Sequence, residues 1–309
     1  MTGILDNSWM LQLELKLRRS AGNAFQTFFS DVMEARFGDD FIRVKPYGQL
    51  GDKGCDGYLK STGSVFACYG AQNGSAGSVN ELINKMNNDF DKAKSSLNKI
   101  MKSWKMTHNI IEGIPTDAIF AIKKLEEDNP DIEFSFFGMQ SIAEIMMGLP
   151  ESKLEKLIGP PARIKDFKNL QLSEVKELID TLVSKLNSPK PMVEKIERVS
   201  PKKIEYNKLS ASWVTILQAG RLNEHRIEEY LNQHHIPTQG ESLAKIFRDW
   251  YIELDTQEIS SDNIMYALYT KIISPEDEDV SRKIAAYTLL SYLFERCDIF
   301  KNPEEEKIS

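Results

Sequence analysis

Gly51-Asp52-Lys53-Gly54-Cys55-Asp56-Gly57 leads into two strand patterns, Gly57 to Lys60 and Val65-Phe66-Ala67-Cys68-Tyr69, which a turn at Ser61-Thr62-Gly63-Ser64 separates. Two such patterns around a turn of this composition predict a β-hairpin. Asp and Gly are also the residues that ordinary turns require, so the first stretch on its own is equally typical of a turn. The hairpin places Asp56, flanked by Gly54 and Gly57, at the start of a strand.

Helical and strand patterns alternate around this hairpin. Apolar residues recur at helical spacing from Met10 to Phe37, with Gly22 as a point where the helix loosens or breaks. A strand is predicted at Phe41 to Val44, and Ser78 with Glu81 caps a helix that follows the hairpin. The later patterns are strands at residues 106–111 and 132–137 and helices at residues 117–127 and 141–147. This order predicts an α/β fold with a mixed sheet flanked by helices.

Strand patterns stop after Leu149, and an all-α C-terminal domain is predicted. A Pro- and Lys-rich stretch from Ser188 to Lys203 reads as connecting chain. We predict an α/β domain at residues 1–150, a linker with one helix at residues 151–204, a helical partner-docking domain at residues 205–300 and a disordered acidic tail at residues 301–309.

The charge is divided unevenly along the 309 residues. Residues 1–110 hold 14 Lys and Arg against 11 Asp and Glu, a net charge of +3, so the total of -7 leaves -10 for the remainder. This division fits a nucleic-acid-facing module joined to a protein-facing one, although two ordinary solvated surfaces fit equally well. The sequence has no apolar run of membrane-spanning length and no signal peptide, so we expect a cytoplasmic protein without a membrane anchor.

Residues near the hairpin could support metal-dependent hydrolysis of a phosphodiester. That chemistry needs hard oxygen ligands for a divalent cation and a positive charge near the phosphate. Asp56 and Glu34, the latter in the last turn of the preceding helix, are candidate ligands, although exposed helical glutamates are usually only solvated. Because alternate strand residues share a face, Lys60 is expected to be available to a metal at Asp56. Lys53 and Lys60 could equally be phosphate contacts or solubilising residues.

Several motifs carry a family resemblance. The Gly51 to Gly57 stretch with the Val65 to Tyr69 arm resembles the Gly-Asp-x-Gly-x-Asp-Gly... Gln-x-Lys signature of Mrr-like nucleases in the PD-(D/E)xK superfamily. The wider pattern resembles the N-terminal nuclease-like module of effectors in bacterial ABC-three-component systems. It includes three further stretches: Gly22-Asn23-Ala24-Phe25-Gln26-x-Phe28-Phe29, Glu34-Ala35-Arg36 and Val44-Lys45-Pro46-Tyr47-Gly48. Lamassu-type anti-phage defence belongs to that wider group, and the resemblance covers residues 15–150.

The resemblance implies a restriction-endonuclease-like fold and a DNA endonuclease that uses Mg²⁺ or Mn²⁺. It implies Asp56 and Glu34 as metal ligands, and strand alternation selects Lys60 as the catalytic cation. Lys45, Lys53 and Lys60 are the predicted nucleic-acid contacts. It further implies double-stranded DNA as substrate, self-association on activation, and an SMC-like ATPase and an accessory subunit that dock on the C-terminal helical domain.

The second arm of the hairpin departs from this pattern. Mrr-like nucleases have Gln or Glu, any residue and then Lys where this chain has Ala67, Cys68 and Tyr69. Tyr69 matches the Phe-Gln-x-Tyr-Ala pattern of the closer family, whereas Ala67 offers neither a metal ligand nor a hydrogen bond. We therefore expect a chain that is inactive or weakened as written. A non-catalytic assembly adaptor with the same fold and an RNase with the same metal chemistry are the alternatives.

Overall fold

The fold is given by a computed structural model that describes residues 3–45, 53–75, 77–185, 202–234, 239–274, 279–296 and 299–301. The chain divides into two compact units. One is formed by residues 12–159, and the other by the described parts of residues 1–11 and 160–309. The predictions for Pro46 to Gly48, Gly51, Asp52 and the acidic tail from residue 302 onward fall outside the described residues.

The first unit contains the elements on which the motifs lie. In chain order they are α1 (Gly3–Arg19, of which residues 3–11 belong to the other unit), α2 (Asn23–Phe37), β1 (Phe41–Arg43), β2 (Gly57–Leu59), β3 (Ser64–Tyr69), α3 (Val79–Leu97), β4 (Ser103–His108), α4 (Thr116–Asp128), β5 (Glu133–Phe137), α5 (Met139–Met147) and α6 (Glu151–Ile158).

The helical pattern predicted across residues 10–37 forms two helices. α1 ends at Arg19 and α2 begins at Asn23. The break falls at Gly22, whose φ of +51° lies in a region that favours glycine. The interruption that the sequence indicates at Gly22 is therefore a complete break between two helices.

The five strands form one mixed sheet in the order β1-β2-β3-β4-β5. β1 and β2 are antiparallel, β2 and β3 are antiparallel, and β3, β4 and β5 are parallel. The start of β2 therefore lies next to the end of β3. We call the edge of the sheet where the parallel strands end the carboxyl edge, and the opposite edge the amino edge.

Both faces of β3 are buried because helices cover the sheet on each side. On one face, Val65 and Ala67 pack in an apolar cluster with Leu82 and Met86 of α3. On the other face, Phe66 lies 5.3 Å from Phe29 of α2, measured between ring centroids. β3 is thus a central strand, and its alternate side chains reach opposite layers.

The second unit is helical. Besides the start of α1, its elements are α7 (Ile164–Asn169), α8 (Leu172–Lys185), α9 (Lys202–Tyr206), α10 (Ala211–Gly220), α11 (Glu224–Gln233), α12 (Gln239–Asp255), α13 (Ser261–Ile272) and α14 (Val280–Glu295). Residues 151–204, predicted as a linker with one helix, contain α6, α7, α8 and the start of α9, and residues 186–201 lie outside the described residues.

A mixed α/β sheet with flanking helices, followed by a helical C-terminal region, is confirmed. Within the ranges that the structure describes, no helix is both long enough and apolar enough to cross a membrane.

Candidate functional site

Asp56 lies at the carboxyl edge, directly before β2. Its backbone N–H donates to the carbonyl oxygen of Phe66 over 2.8 Å, and its own carbonyl oxygen accepts from the N–H of Val44 over 3.1 Å. These two bonds extend the pairing of β2 with β3 and with β1 by one residue. The backbone of Asp56 is therefore fixed on both sides by neighbouring strands.

The carboxylate of Asp56 is buried, with 6% of the residue exposed. Oδ2 accepts the backbone N–H of Cys68 over 2.6 Å, and Oδ1 accepts the side-chain Nε2 of Gln26 over 2.5 Å. Hydrogen bonds of this kind stabilise an ionised carboxylate. Asp56 is thus a carboxylate held in a fixed position, and carboxylate oxygens are the ligands that divalent cations such as Mg²⁺ prefer.

Gln26 is a site residue that the sequence reasoning missed. It lies in the first turn of α2, within the Phe25-Gln26 pair that the family resemblance includes. Helical periodicity identified the buried stripe of α2, but the residue of α2 that contacts Asp56 depends on how the helix packs against the sheet. The motif around Phe25 was the one signal that could have indicated Gln26.

The structure does not place Glu34 at Asp56, which corrects that expectation. Arg43 of β1 binds both carboxylate oxygens of Glu34 at 2.8 Å, and it also contacts Asp31. Glu34 lies eight residues after Gln26, which is about 12 Å along a helix. With 45% of its side chain exposed, Glu34 forms a surface ion pair that connects α2 to β1.

Lys60 lies at the opposite edge of the sheet from Asp56, so its expected role is also corrected. Leu59 pairs with Ser64, the first residue of β3, which puts Lys60 at the amino edge. Four residues of strand separate Lys60 from Asp56 by about 13 Å. Alternation predicts that two residues share a face of a sheet, but it does not bring them together along the strand.

Lys45 and Lys53 lie on chain segments that adjoin Asp56 at the carboxyl edge. Lys45 follows Val44, whose N–H bonds to the carbonyl oxygen of Asp56. Lys53 precedes Asp56 by three residues and has a φ of +59°. Both lysines are exposed, so they are available to a phosphate at the carboxyl edge.

Position 67 offers no polar group to this site. Ala67 is fully buried, with 0% exposed, among the apolar side chains between β3 and α3. Its partner on the parallel strand β4 is Met106. The departure from the nuclease pattern is therefore a packed methyl group at a position where the pattern has Gln or Glu.

Helix α3 brings a lysine toward the end of β3. Nζ of Lys85 donates to Oδ2 of Asp89 over 2.6 Å. Burial raises the pKa of the Cys68 thiol well above its usual value and the charge of Asp56 raises it further, whereas the charge of Lys85 lowers it. Burial and Glu81 raise the pKa of Tyr69, and Lys85 again lowers it. The charge of Lys85 thus acts on two consecutive residues of β3.

Asn109 holds the elements around this edge. Its Oδ1 accepts the N–H of Ala71 over 2.6 Å, and its Nδ2 donates to the carbonyl oxygens of Ala71 and Ser20 at 2.9 and 2.7 Å. The N–H of Gly22 donates to the carbonyl oxygen of Gly70 over 2.9 Å. These bonds fix the start of α2 to the end of β3, and so keep Gln26 within reach of Asp56.

His108, at the end of β4, is a packed side chain. Burial lowers its pKa to about 4, and its Nδ1 accepts the N–H of Ile110 over 3.2 Å. The ring lies against Gly138, where an added Cβ would be 2.5 Å from Cε1. His108 is therefore neutral at pH 7.

The residues that could hold a metal are few. In the ranges that the structure describes, no group of three or more His, Cys, Asp or Glu side chains could hold a metal ion. Cys55 and Cys68 are buried thiols that form no disulfide, and Cys297 lies outside the described residues. Asp56 is the candidate ligand at the carboxyl edge.

The comparison with known families concerns the other half of the chain. Residues 173–301 match the family model described as C-terminal domain 10 of the ABC-three component (ABC-3C) systems. No curated protein and no solved structure matches the chain. The expected link to ABC-three-component systems is confirmed, and the nuclease-like N-terminal module stays a prediction.

The ABC-3C domain is organised around α14, which is buried along most of its length. α10 crosses α14 closely at Gly220, where an added Cβ would lie 2.7 Å from the Cβ of Ser291. Lys203 is fully buried, and its Nζ donates to the carbonyl oxygens of Phe294 and Ile299, each at 2.7 Å. This ammonium group satisfies the carbonyl group of Phe294 in the last turn of α14, as a cation near a helix C-terminus does, and links it to Ile299 beyond the helix.

Proposed function

We propose that this chain is the nuclease effector of an ABC-3C anti-phage defence system, a Mg²⁺- or Mn²⁺-dependent DNA endonuclease that is weakened or inactive as written. The observation that carries the proposal is the buried Asp56 carboxylate at the carboxyl edge, between Gln26 and the N–H of Cys68. A buried charge needs compensation, and proteins retain such a charge where it binds a cation or serves chemistry. The ABC-3C match of residues 173–301 supports the biological setting.

The residues present fit a divalent cation only in part. Mg²⁺ is usually bound by one or two carboxylates together with waters and substrate phosphates. Asp56 supplies one carboxylate, Glu34 belongs to the ion pair with Arg43, and Ala67 supplies no ligand. When bound, the metal would polarise the phosphate and activate the attacking water. The expected effect of Ala67 is therefore a low metal affinity.

The other residues of the carboxyl edge would orient the site and the substrate. Gln26 holds one oxygen of Asp56, which fixes the direction of the other toward Cys68. Lys45 and Lys53 are exposed beside it and would contact the DNA backbone, where positive charge contributes affinity without sequence preference. The chain would thus bind duplex DNA through charge and position one phosphate near Asp56.

The ABC-3C domain would dock the other components of the system. We propose an SMC-like ATPase and an accessory subunit as these partners, which hold the nuclease inactive until foreign DNA is sensed. Leu222 and Ile252 are large apolar side chains of this domain that stay more than half exposed. Leu222→Glu or Ile252→Glu should weaken co-elution of the chain with the ATPase if these side chains form the docking surface.

The decisive experiment restores the carboxamide at position 67. Ala67→Gln should bind Mg²⁺ or Mn²⁺ by calorimetry and should nick plasmid DNA, alone or with the partner proteins. Ala67→Leu is the matched control, since it fills the same space without a polar group. Adding Asp56→Asn to Ala67→Gln should remove both metal binding and cleavage. Cleavage that survives the loss of Asp56 would contradict the assignment of the site.

The second candidate function is a non-catalytic assembly adaptor with the same fold. The packing of Ala67 in an apolar cluster favours it, because the position is filled without a gap for a ligand. Absence of both metal binding and cleavage in Ala67→Gln, with and without partners, would establish this reading. Parallel assays on labelled duplex DNA, single-stranded DNA and RNA would test an RNase, since the metal chemistry acts on the phosphodiester and not on the sugar.

A further inference from the structure

Lys85 is the lysine that the fold directs toward the end of β3. It lies on α3, with 38% of its side chain exposed, and its Nζ is 2.6 Å from Oδ2 of Asp89. Asp89 is itself buried and is also approached by Lys92 at 3.5 Å. Two lysines thus share one carboxylate. Lys85 is partly exposed and can still reach solvent.

The chain before Asp56, residues 53–55, which we call the motif loop, packs directly on the turn of α3 that carries Asp89. Gly54 has a φ of +69°, and a Cβ added there would lie 2.1 Å from the carbonyl oxygen of Asp89. The loop that carries Asp56 two residues later therefore touches the helical turn that ends the Lys85 to Asp89 span. Because the loop and α3 touch at backbone atoms, this contact fixes the position of Lys85 relative to the loop.

Packing places Lys85 on the same side of the sheet as Tyr69, the last residue of β3. Tyr69 lies in one buried cluster with Leu82 and Met86 of α3, and Lys85 lies between those two residues in the helix. Tyr69 stands where the Mrr-like pattern has its lysine. A cation that reaches this position from α3 would meet the need for positive charge that Tyr69 leaves unmet.

We propose that Lys85 is the cation of this site and contacts the phosphate of DNA that lies at Asp56, with Asp89 as its positioning residue. The inference rests on the proposed nuclease function and names the residue that neutralises the phosphate. Lys60, at the amino edge, is excluded from this role by its distance along β2. A positive group beside a phosphate stabilises the charge that develops as the phosphodiester is cleaved.

The test measures duplex DNA binding by the full chain, with Ca²⁺ present to allow binding without cleavage, at several salt concentrations. Lys85→Met combined with Asp89→Asn removes one positive and one negative charge, so the net charge of the chain is unchanged. The double variant should bind several-fold more weakly and lose about 0.9 from the slope of log affinity against log salt, the effect of one lost phosphate contact. Lys85→Arg should retain the slope, and Lys99→Met, an exposed lysine two residues after α3, is the matched control.

A second arm separates this inference from the proposed function. In the Ala67→Gln background, Lys85→Met should abolish cleavage and leave the calorimetric Mg²⁺ affinity unchanged, whereas Asp56→Asn should abolish both. If Ala67→Gln neither binds metal nor cleaves, the nuclease function fails, and the DNA-binding slope still decides whether Lys85 contacts phosphate. An unchanged slope in the double variant, a loss of slope in Lys60→Met instead, or no DNA binding by any variant would overturn the role of Lys85.

Discussion

Gly54→Ala tests the contact between the motif loop and α3. The new methyl group would meet the carbonyl oxygen of Asp89 at 2.1 Å, and the residue would keep a φ of +69°. A non-glycine residue in such a strained conformation costs about 1–3 kcal/mol. Overpacking against a well-packed neighbour costs about 1–3 kcal/mol more. The free energy of unfolding should therefore fall by about 2–6 kcal/mol, against a typical total of about 5–15 kcal/mol.

Gly38→Ala is the matched control for this prediction. Gly38 has a φ of +54° with nothing within 4 Å of its added Cβ, so it bears the backbone strain without the collision. Urea-induced unfolding followed by circular dichroism should place Gly54→Ala about 2 kcal/mol below Gly38→Ala, or about 4–8 °C lower in melting temperature. Equal losses in the two variants would show that the loop does not pack on Asp89, and the position inferred for Lys85 would lose its main support.

Two further variants test the site in other ways. Burial lowers the folded-state pKa of His108 to about 4. Between pH 6.5 and pH 4 the unfolded chain therefore binds more protons than the folded chain. The free energy of unfolding that is present above pH 6.5 should fall by up to about 3 kcal/mol as the pH drops through this range. His108→Gln should reduce the difference in free energy of unfolding between pH 7 and pH 5, and an undiminished difference in urea denaturation would contradict a buried neutral imidazole. Glu34→Gln should leave the Mg²⁺ affinity of the Ala67→Gln chain unchanged. Because Glu34 and Arg43 form an exposed ion pair, the free energy of unfolding should fall by less than about 1 kcal/mol. A large loss of Mg²⁺ affinity by calorimetry would show that Glu34 is a metal ligand.

The sequence was sufficient for the sheet and its hairpin because those features depend on local patterns. The strand pattern at Val65 to Tyr69, the turn at Ser61 to Ser64 and the Gly22 interruption all correspond to observed elements. The capping pair Ser78 and Glu81 likewise indicated the start of α3. These are properties that neighbouring residues impose on each other.

The composition of the site could not be predicted in the same way, because it depends on packing between elements that are distant in sequence. Which residue of α2 meets Asp56 is decided by the Gly22 to Gly70 bond and by Asn109, which selects Gln26 and turns Glu34 toward Arg43. The position of Lys85 follows in turn from the contact of α3 with Gly54. No spacing rule within one segment contains this information.

An inactive nuclease and an assembly adaptor differ in whether the site at Asp56 binds a cation once position 67 carries a ligand. Asp56, Gln26 and Lys85 come from three separate elements, and the hydrogen bonds that hold Asp56 do not involve the side chain at position 67. Ala67 does pack against α3, so a longer side chain there should cost stability through overpacking, by a similar amount for Gln and for Leu. If Ala67→Gln gains metal affinity while Ala67→Leu unfolds at the same urea concentration as Ala67→Gln, the gain belongs to the carboxamide and the site was already formed. If both variants lose stability equally and neither binds metal, the packed methyl group is part of the architecture, and the adaptor reading follows.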